Sequence, residues 1–262
     1  MSKVCQLFSG SSGNSILISS KGHNFLVDIG VSAKKCESQL LSLGISPSSI
    51  DGIFVTHEHN DHIGGVRVFA SRYGTPVFAS EPCISEMLDK RYIGQKVNIE
   101  KIDCHMELCG IEVNAFKLSH DSVDCMGYRF ELANGKSVAV CTDTGFITDN
   151  AKQVCNGVDL IFIESNHEVS ILENGPYPYP LKKRILGAKG HLSNFACAEY
   201  IKELANSGTT RFVLSHLSRE NNTPDIAYQS AVAALNDIDF KLDRDYRLYV
   251  SPPENNSRGI AL

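Results

Sequence analysis

Gly52-Ile53-Phe54-Val55-Thr56-His57-Glu58-His59-Asn60-Asp61-His62 is the stretch on which the reading of this chain turns. An apolar run gives way, between His57 and His62, to three imidazoles and two carboxylates. A strand that ends in a loop can aim such side chains at one point in space. Metal binding requires that convergence, and imidazole nitrogen and carboxylate oxygen are ligands of zinc and of harder divalent ions. His57 and His59 fall on one side of the turn and Asp61 and His62 on the other, so the loop can seat two metals. A polar surface loop is the bland alternative. Three of the chain's nine histidines in one such loop argue against it.

Outward from this loop, other apolar runs end in the same residue types. Phe116-Lys117-Leu118-Ser119-His120-Asp121 brings His120 to a strand end, and Val138-Ala139-Val140-Cys141-Thr142-Asp143 does so for Asp143. Phe212-Val213-Leu214-Ser215-His216 repeats the pattern for His216, and Phe25-Leu26-Val27-Asp28 for Asp28. A single strand-terminal His or Asp is more often a hydrogen-bonded cap or a core residue. Several together make a pattern, because a sheet presents its loops at one edge and gathers residues distant in sequence.

The same runs outline the organisation. Residues 4–8, 15–19 and 25–29 alternate with Gly/Ser turns and suggest an antiparallel meander. A helix is expected over 32–43, with Ser32 as N-cap and Gly44 beyond its end. A strand over 53–55 feeds the histidine loop, and a helix over 63–73 is stopped by Gly74. Further strands are expected over 76–79, 97–102, 111–118, 126–132, 137–141, 158–163, 210–214 and 246–250. Asn134-Gly135 is read as a hairpin turn, and helices are expected from Glu81, over 194–205 and over 225–235. Periodicity alone gives an α/β class. The order of elements suggests two similar sheet-plus-helix halves packed with helices outside, an αββα sandwich, and residues 1–262 are read as a single domain.

Composition narrows the function classes. The chain of 262 residues is 42% hydrophobic and 21% charged, the balance of an ordinary globular protein. Its net charge of −5 advertises no general affinity for nucleic acid, so a phosphate-bearing partner would need a local patch. Lys182-Lys183-Arg184, Lys189 and Arg219 are the candidates for one. No apolar run is long enough for a membrane span, and the first residues carry no signal-peptide pattern. Nine cysteines, an odd number without framework spacing, suit reduced thiols in a cytoplasmic protein. Cys104 and Cys109 invite a zinc reading, but no pair has CxxC spacing.

The HxHxDH motif at His57–His62, followed by His120, Asp143 and His216, resembles the metallo-β-lactamase superfamily, over essentially the whole chain. The resemblance implies the four-layer αββα sandwich with metals at one edge between the sheets. It implies that His57, His59 and His120 hold a first metal, Asp61, His62 and His216 a second, and that Asp143 bridges them. It also implies that Asp28 supports the histidine loop as a partner of a ligand, while Glu58 points away. Seven nitrogen and oxygen donors without sulfur suit two divalent ions, zinc or manganese, with iron also possible. Such a site fits a thioesterase of the glyoxalase II type or a phosphodiesterase better than a β-lactamase.

Glu164, after the run 160–163, and His191, in Gly190-His191-Leu192-Ser193, resemble the Glu and His of the RNase Z-type branch. There they lie beside the dinuclear centre and assist proton transfer to the leaving group. A finer resemblance, to the YycJ/WalJ-like group, rests on residues 9–15, on Glu164-Ser165-Asn166-His167-Glu168, and on residues 174–178 running into Gly190-His191-Leu192-Ser193-Asn194. It implies a nuclease, DNA favoured and exonuclease-like, whose substrate reaches the metals past an insertion around residues 172–189. Catalysis is expected from a hydroxide shared by two metals, with Asp61, His191 and Glu164 as the catalytic residues. Residues 11–14 offer backbone N–H groups to a phosphate, and His167 is either a substrate contact or structural. Thioester or lactone hydrolysis on the same metals is the competing activity, and a metal-bound regulator the non-catalytic reading.

Overall fold

A strand apolar on both faces needs cover on both, and Ser137–Cys141 and Leu160–Glu164 are buried at every position. The computed structural model, which describes residues 2–94, 96–255 and 259–262, supplies that cover with two packed sheets flanked by helices.

The first sheet takes β1 (Lys3–Phe8), β2 (Ser15–Ser20), β3 (His23–Val27), β4 (Ile50–Phe54), β5 (Val77–Ala79) and β6 (Ile99–Lys101) in chain order. Its first three strands form the expected antiparallel meander, and β3 to β6 are parallel. The crossovers run through α1 (Ala33–Ser42), α2 (Asn60–Ile63), α3 (Val66–Tyr73) and α4 (Glu81–Asp89). The second sheet repeats the plan with β7 (His105–Leu108), β8 (Ile111–Leu118), β9 (Cys125–Glu131), β10 (Ser137–Cys141), β11 (Leu160–Glu164), β12 (Arg211–Ser215) and β13 (Arg247–Val250). It is antiparallel as far as β10 and parallel thereafter. Here the crossovers carry α5 (Asp149–Cys155), α6 (Val169–Asn174), α7 (Tyr179–Ile185), α8 (Asn194–Asn206) and α9 (Pro224–Asp237). A last strand, β14 (Ile260–Ala261), pairs with β1.

Side-chain alternation sorts the layers. On β2, Ile16 and Ile18 join the core between the sheets, whereas Leu17 joins the core under α1 and α3. On β11, Leu160 and Phe162 face the other sheet while Ile161 and Ile163 face α8 and α9. The αββα sandwich expected from the sequence is therefore the fold. Phe54 anchors its middle, edge-to-face with Phe130 at 5.1 Å and stacked on Phe78 at 5.1 Å. Burying a phenyl ring stabilises by roughly 1.5–3 kcal/mol, and aromatic pairs add to that. Just beyond, the Tyr128 hydroxyl donates to the Val55 carbonyl at 2.5 Å, tying the second sheet to the base of the histidine loop.

Two expectations need correction. The helix over 63–73 is interrupted: α2 ends at Ile63, and Gly64 and Gly65 separate it from α3. Gly65 donates to the Ile29 carbonyl at 2.8 Å, and a Cβ there would sit 2.3 Å from the Val31 carbonyl oxygen, so close packing on the end of β3 breaks the helix. The strand over 97–102 contracts to Ile99–Lys101. The elements β7, α5, α6, α7 and β14 were not anticipated; all are short, and β7 is largely exposed.

Candidate metal centre

The residues singled out in the sequence follow the ends of β3 (Asp28), β4 (His57 to His62), β8 (His120), β10 (Asp143), β11 (Glu164, its last residue) and β12 (His216). Three of them turn the chain in the left-handed region, Asp28 at φ 61°, Asp143 at φ 63° and His216 at φ 56°. Non-glycine residues adopt that region rarely, and such strain concentrates at functional sites. The histidine loop is itself partly helical: His59 is the N-cap of α2, and Asp61 and His62 lie in that helix's only turn. Gly30 permits this. A Cβ on it would stand 1.6 Å from the Asp61 carbonyl oxygen, so the loop after β3 lies directly against the loop after β4.

Donor atoms of His57, His59 and His120 lie within 4.8 Å of one another, as do those of Asp61, His62 and His216, and a third group joins Asp143 to His57 and His62. Three of the imidazoles are oriented from behind. The Asp28 carboxylate accepts from His62 Nδ1 at 2.8 Å and is fixed by the Thr56 backbone N–H and hydroxyl, both at 2.8 Å. His120 donates from Nδ1 to the Gly190 carbonyl at 3.0 Å. His216 donates from Nδ1 to Glu164 Oε1 at 2.9 Å. That leaves Nε2 of His62, His120 and His216 facing inward. Asp143 spans the middle, with Oδ2 3.3 Å from His62 Nε2 and Oδ1 3.2 Å from His216 Nδ1.

Glu164 and His191 meet as the sequence suggested. Glu164 Oε1 accepts from His191 Nδ1 at 2.7 Å, while Oε2 accepts the backbone N–H groups of Thr144 at 2.9 Å and Leu192 at 3.1 Å. The carboxylate is wholly buried. Burial would raise its pKa, but His191 and His216 outweigh that and hold it ionised, well below the usual range. Similar competition acts on His62: burial disfavours its cation, yet Asp143 and Asp28 push its pKa up to about 9. His57 moves the other way, driven well below its ordinary value by burial and by the surrounding imidazoles.

This donor set fits a divalent metal ion. His57 Nε2, His216 Nε2 and Asp143 Oδ2 are buried and lack a hydrogen-bond partner, a costly condition that a cation would relieve. The donors open onto a cavity of about 280 Å³ that His59, Asp61, His120, Asp143, His191 and His216 share with Tyr177, Leu181 and Arg184 from the α7 region.

A beta-lactamase superfamily domain matches residues 23–217. The exodeoxyribonuclease WalJ of Streptococcus pneumoniae is 37% identical over 256 residues, covering 96% of this chain and 95% of its own. The chain belongs to the metallo-β-lactamase superfamily. Within that superfamily, the exodeoxyribonuclease YycJ of Bacillus anthracis is 32% identical over 95% of this chain and 94% of its own. Zinc-bound PqqB from Methylobacterium extorquens shares the fold, with a TM-score of 0.72 over 99% of both chains at 16% identity.

Set beside these superfamily relatives, the site holds several residues that the sequence reading placed differently. The loop before β2 was expected to offer backbone N–H groups to a phosphate. Of these, Gly13 donates to the Gly10 carbonyl at 2.9 Å and Asn14 to the Asp61 carbonyl at 2.8 Å, so those two donors serve the scaffold, while Ser11 lines the cavity. The Asn14 side chain is buried, 3.1 Å from His62 Nε2. His167 does not line the cavity; its ring nitrogens are buried without a hydrogen-bond partner, and burial lowers its pKa to about 4, which keeps it neutral. Glu58 points away as expected, accepting from the Val123 backbone N–H at 3.0 Å. Of the basic patch, Arg184 reaches the cavity, where Asp121 accepts from its Nη2 at 3.1 Å and also from Nε. Asn14 lies within the segment 9–15 quoted above, but no motif marks its approach to His62, and none marks Asp121.

Proposed function

We propose that residues 1–262 form one metallohydrolase domain that cleaves phosphodiester bonds in DNA, acting as an exonuclease. The His191–Glu164 pair carries this reading. Because Glu164 engages Nδ1 of His191, the ring's Nε2 is left for the cavity, where a leaving group would sit. In the proposal, His57, His59 and His120 hold one divalent ion, Asp61, His62 and His216 another, and Asp143 lies between them. Zinc or manganese suits these seven donors, and iron is a third choice. When bound, such ions supply Lewis-acid charge for phosphoryl oxygens and make water acidic enough to attack at neutral pH.

The protein's own residues supply the rest. Asp61 accepts a hydrogen bond from the attacking water and orients it in line with the scissile bond. Arg184 binds a phosphate oxygen through its guanidinium, which Asp121 holds at the cavity wall. His191 Nε2–H gives its proton to the departing sugar oxygen, and Glu164 stabilises the ring's charge and fixes its tautomer. Buried as it is, Glu164 acts only through His191 and His216 and is a positioning residue. Strong similarity over nearly full length to two exodeoxyribonucleases supports DNA as the substrate. Nine free cysteines support a reducing, cytoplasmic setting. Among the described residues no helix is long and apolar enough to cross a membrane.

The test is degradation of end-labelled DNA beside the matching RNA and a glutathione thioester, each with zinc or manganese. DNA shortening from an end, abolished by chelator and restored by metal, is the expected result. Turnover of the thioester with DNA untouched would overturn the proposal.

A further inference from the structure

Among the described residues, the proposed mechanism leaves one cluster of metal-ligating side chains unused, at the other end of the strands. His23 opens β3, Asp51 is the second residue of β4, and Cys109 lies in the turn between β7 and β8. The centre described above follows the far ends of β3, β4 and β8. A strand of five residues spans roughly 17 Å, so the two groups are well separated.

One donor atom from each of His23, Asp51 and Cys109 lies within 4.8 Å of the others. His23 Nδ1 stands 3.3 Å from Asp51 Oδ2. A charge-assisted hydrogen bond closes to about 2.7–2.9 Å. Two ligands each about 2.0 Å from a tetrahedral ion, by contrast, stand about 3.3 Å apart. The carboxylate is already oriented, since Oδ2 accepts the Asn24 backbone N–H at 2.9 Å.

The turn offers an independent sign. Leu108 pairs with Ile111, so its loop is Cys109 and Gly110 alone, both left-handed at φ 55° and 73°. Two-residue turns of this kind favour Asn-Gly or Asp-Gly, and the backbone gives no reason for cysteine. The sheets also meet here: a Cβ on Gly52 would stand 3.0 Å from Leu108 Cδ2, so the absence of a side chain beside Asp51 admits the hairpin.

We propose that His23, Asp51 and Cys109 form a separate zinc site, open to solvent at its fourth position, which ties the β7–β8 hairpin of one sheet to β3 and β4 of the other. Imidazole, carboxylate and thiolate together select a borderline ion such as zinc. Binding forms a sulfur–zinc bond and releases the thiol proton to solvent, with no change of oxidation state. Partial burial and the Asp51 carboxylate push the Cys109 thiol up, so the ion competes with that proton.

Cobalt substitution separates this site from the other, whose donors include no sulfur. The full chain loaded with cobalt should show a near-ultraviolet thiolate-to-cobalt charge-transfer band. Cys109→Ser should remove the band and one equivalent of bound metal while leaving DNA hydrolysis unchanged. Cys104→Ser, at the other exposed cysteine, should leave both intact. His23→Asn should weaken cobalt binding at least tenfold, and it tests the site without altering the turn. No thiolate band in the saturated protein, or a band that survives Cys109→Ser, would overturn the assignment.

Discussion

Replacing Asp28 with asparagine changes one atom and, by the geometry of the site, the tautomer of His62. The native carboxylate accepts three hydrogen bonds of 2.8 Å, from the Thr56 N–H, the Thr56 hydroxyl and His62 Nδ1. Asparagine Oδ1 can keep the first. Its amide then faces His62 Nδ1 with a donor, so that nitrogen must become the acceptor and the proton moves to Nε2, the atom 3.3 Å from Asp143. A protonated Nε2 cannot ligate. Restoring the ligating tautomer sets two buried N–H groups against each other, at a cost of about 1–3 kcal/mol. At about 1.4 kcal/mol per tenfold, metal affinity should fall about 10–100-fold, the range found for lost partners of ligating histidines. Asparagine tolerates φ 61°, so the turn itself should survive. Competition with a chromophoric chelator measures the affinity, and thermal unfolding in chelator checks the fold. A variant that folds, binds metal with native affinity and hydrolyses DNA at the native rate would refute the role given to Asp28.

His191→Ala should slow DNA hydrolysis about 10²–10⁴-fold with metal content unchanged; loss of metal by elemental analysis would instead make His191 a ligand. Glu164→Gln turns an amide donor toward the His191 and His216 nitrogens, so it should lower kcat more than it raises KM and reduce stability by about 1–3 kcal/mol, read by denaturant titration. Gly30→Ala drives a Cβ to 1.6 Å from the Asp61 carbonyl; it should destabilise by the upper end of about 1–3 kcal/mol or more and displace α2, seen as a lower Tm and weaker metal binding. Arg184→Ala removes a half-exposed ion pair worth under about 1 kcal/mol, so Tm should hold while KM for DNA rises; an unchanged KM would remove Arg184 from the substrate path.

The strands were legible because burial on both faces writes itself as an unbroken apolar run, as in Ser137–Cys141, and burial on one face as alternation, as in Ile111–Leu118. Ser137–Cys141 and Ile111–Leu118 fall where the sequence put them, and the N-cap hydroxyl of Ser32 accepts the Lys35 N–H as its position before α1 suggests. The short elements were not. α5 is seven residues between loops, and β7 alternates without a strong apolar face. Such pieces owe their form to neighbours rather than to their own pattern. The break between α2 and α3 has the same origin, since only the approach of Gly65 to the end of β3 explains it.

At the site, residue types at strand ends were readable, and the bonds that aim them were not. His216 shows why. It holds a left-handed φ of 56°, a conformation with no local cause in Leu214-Ser215-His216-Leu217. Its backbone N–H donates to the hydroxyl of Ser9 at 2.8 Å, 207 residues earlier, and its ring is drawn the other way by Glu164. The same early loop sends Asn14 against His62. The segment from Ser9 to Asn14 is thus a strut between the two sheets: it touches both His62, after β4, and His216, after β12. Strain of about 1–3 kcal/mol at such a turn persists only where the surroundings over-determine it. Ser9→Ala removes one of those constraints and leaves every donor in place. It should therefore weaken metal binding through His216 alone, by an amount smaller than Asp28→Asn, because Glu164 still holds the ring. Equal or greater loss in Ser9→Ala would mean that the loop, and not the carboxylates behind the histidines, governs the geometry of the centre.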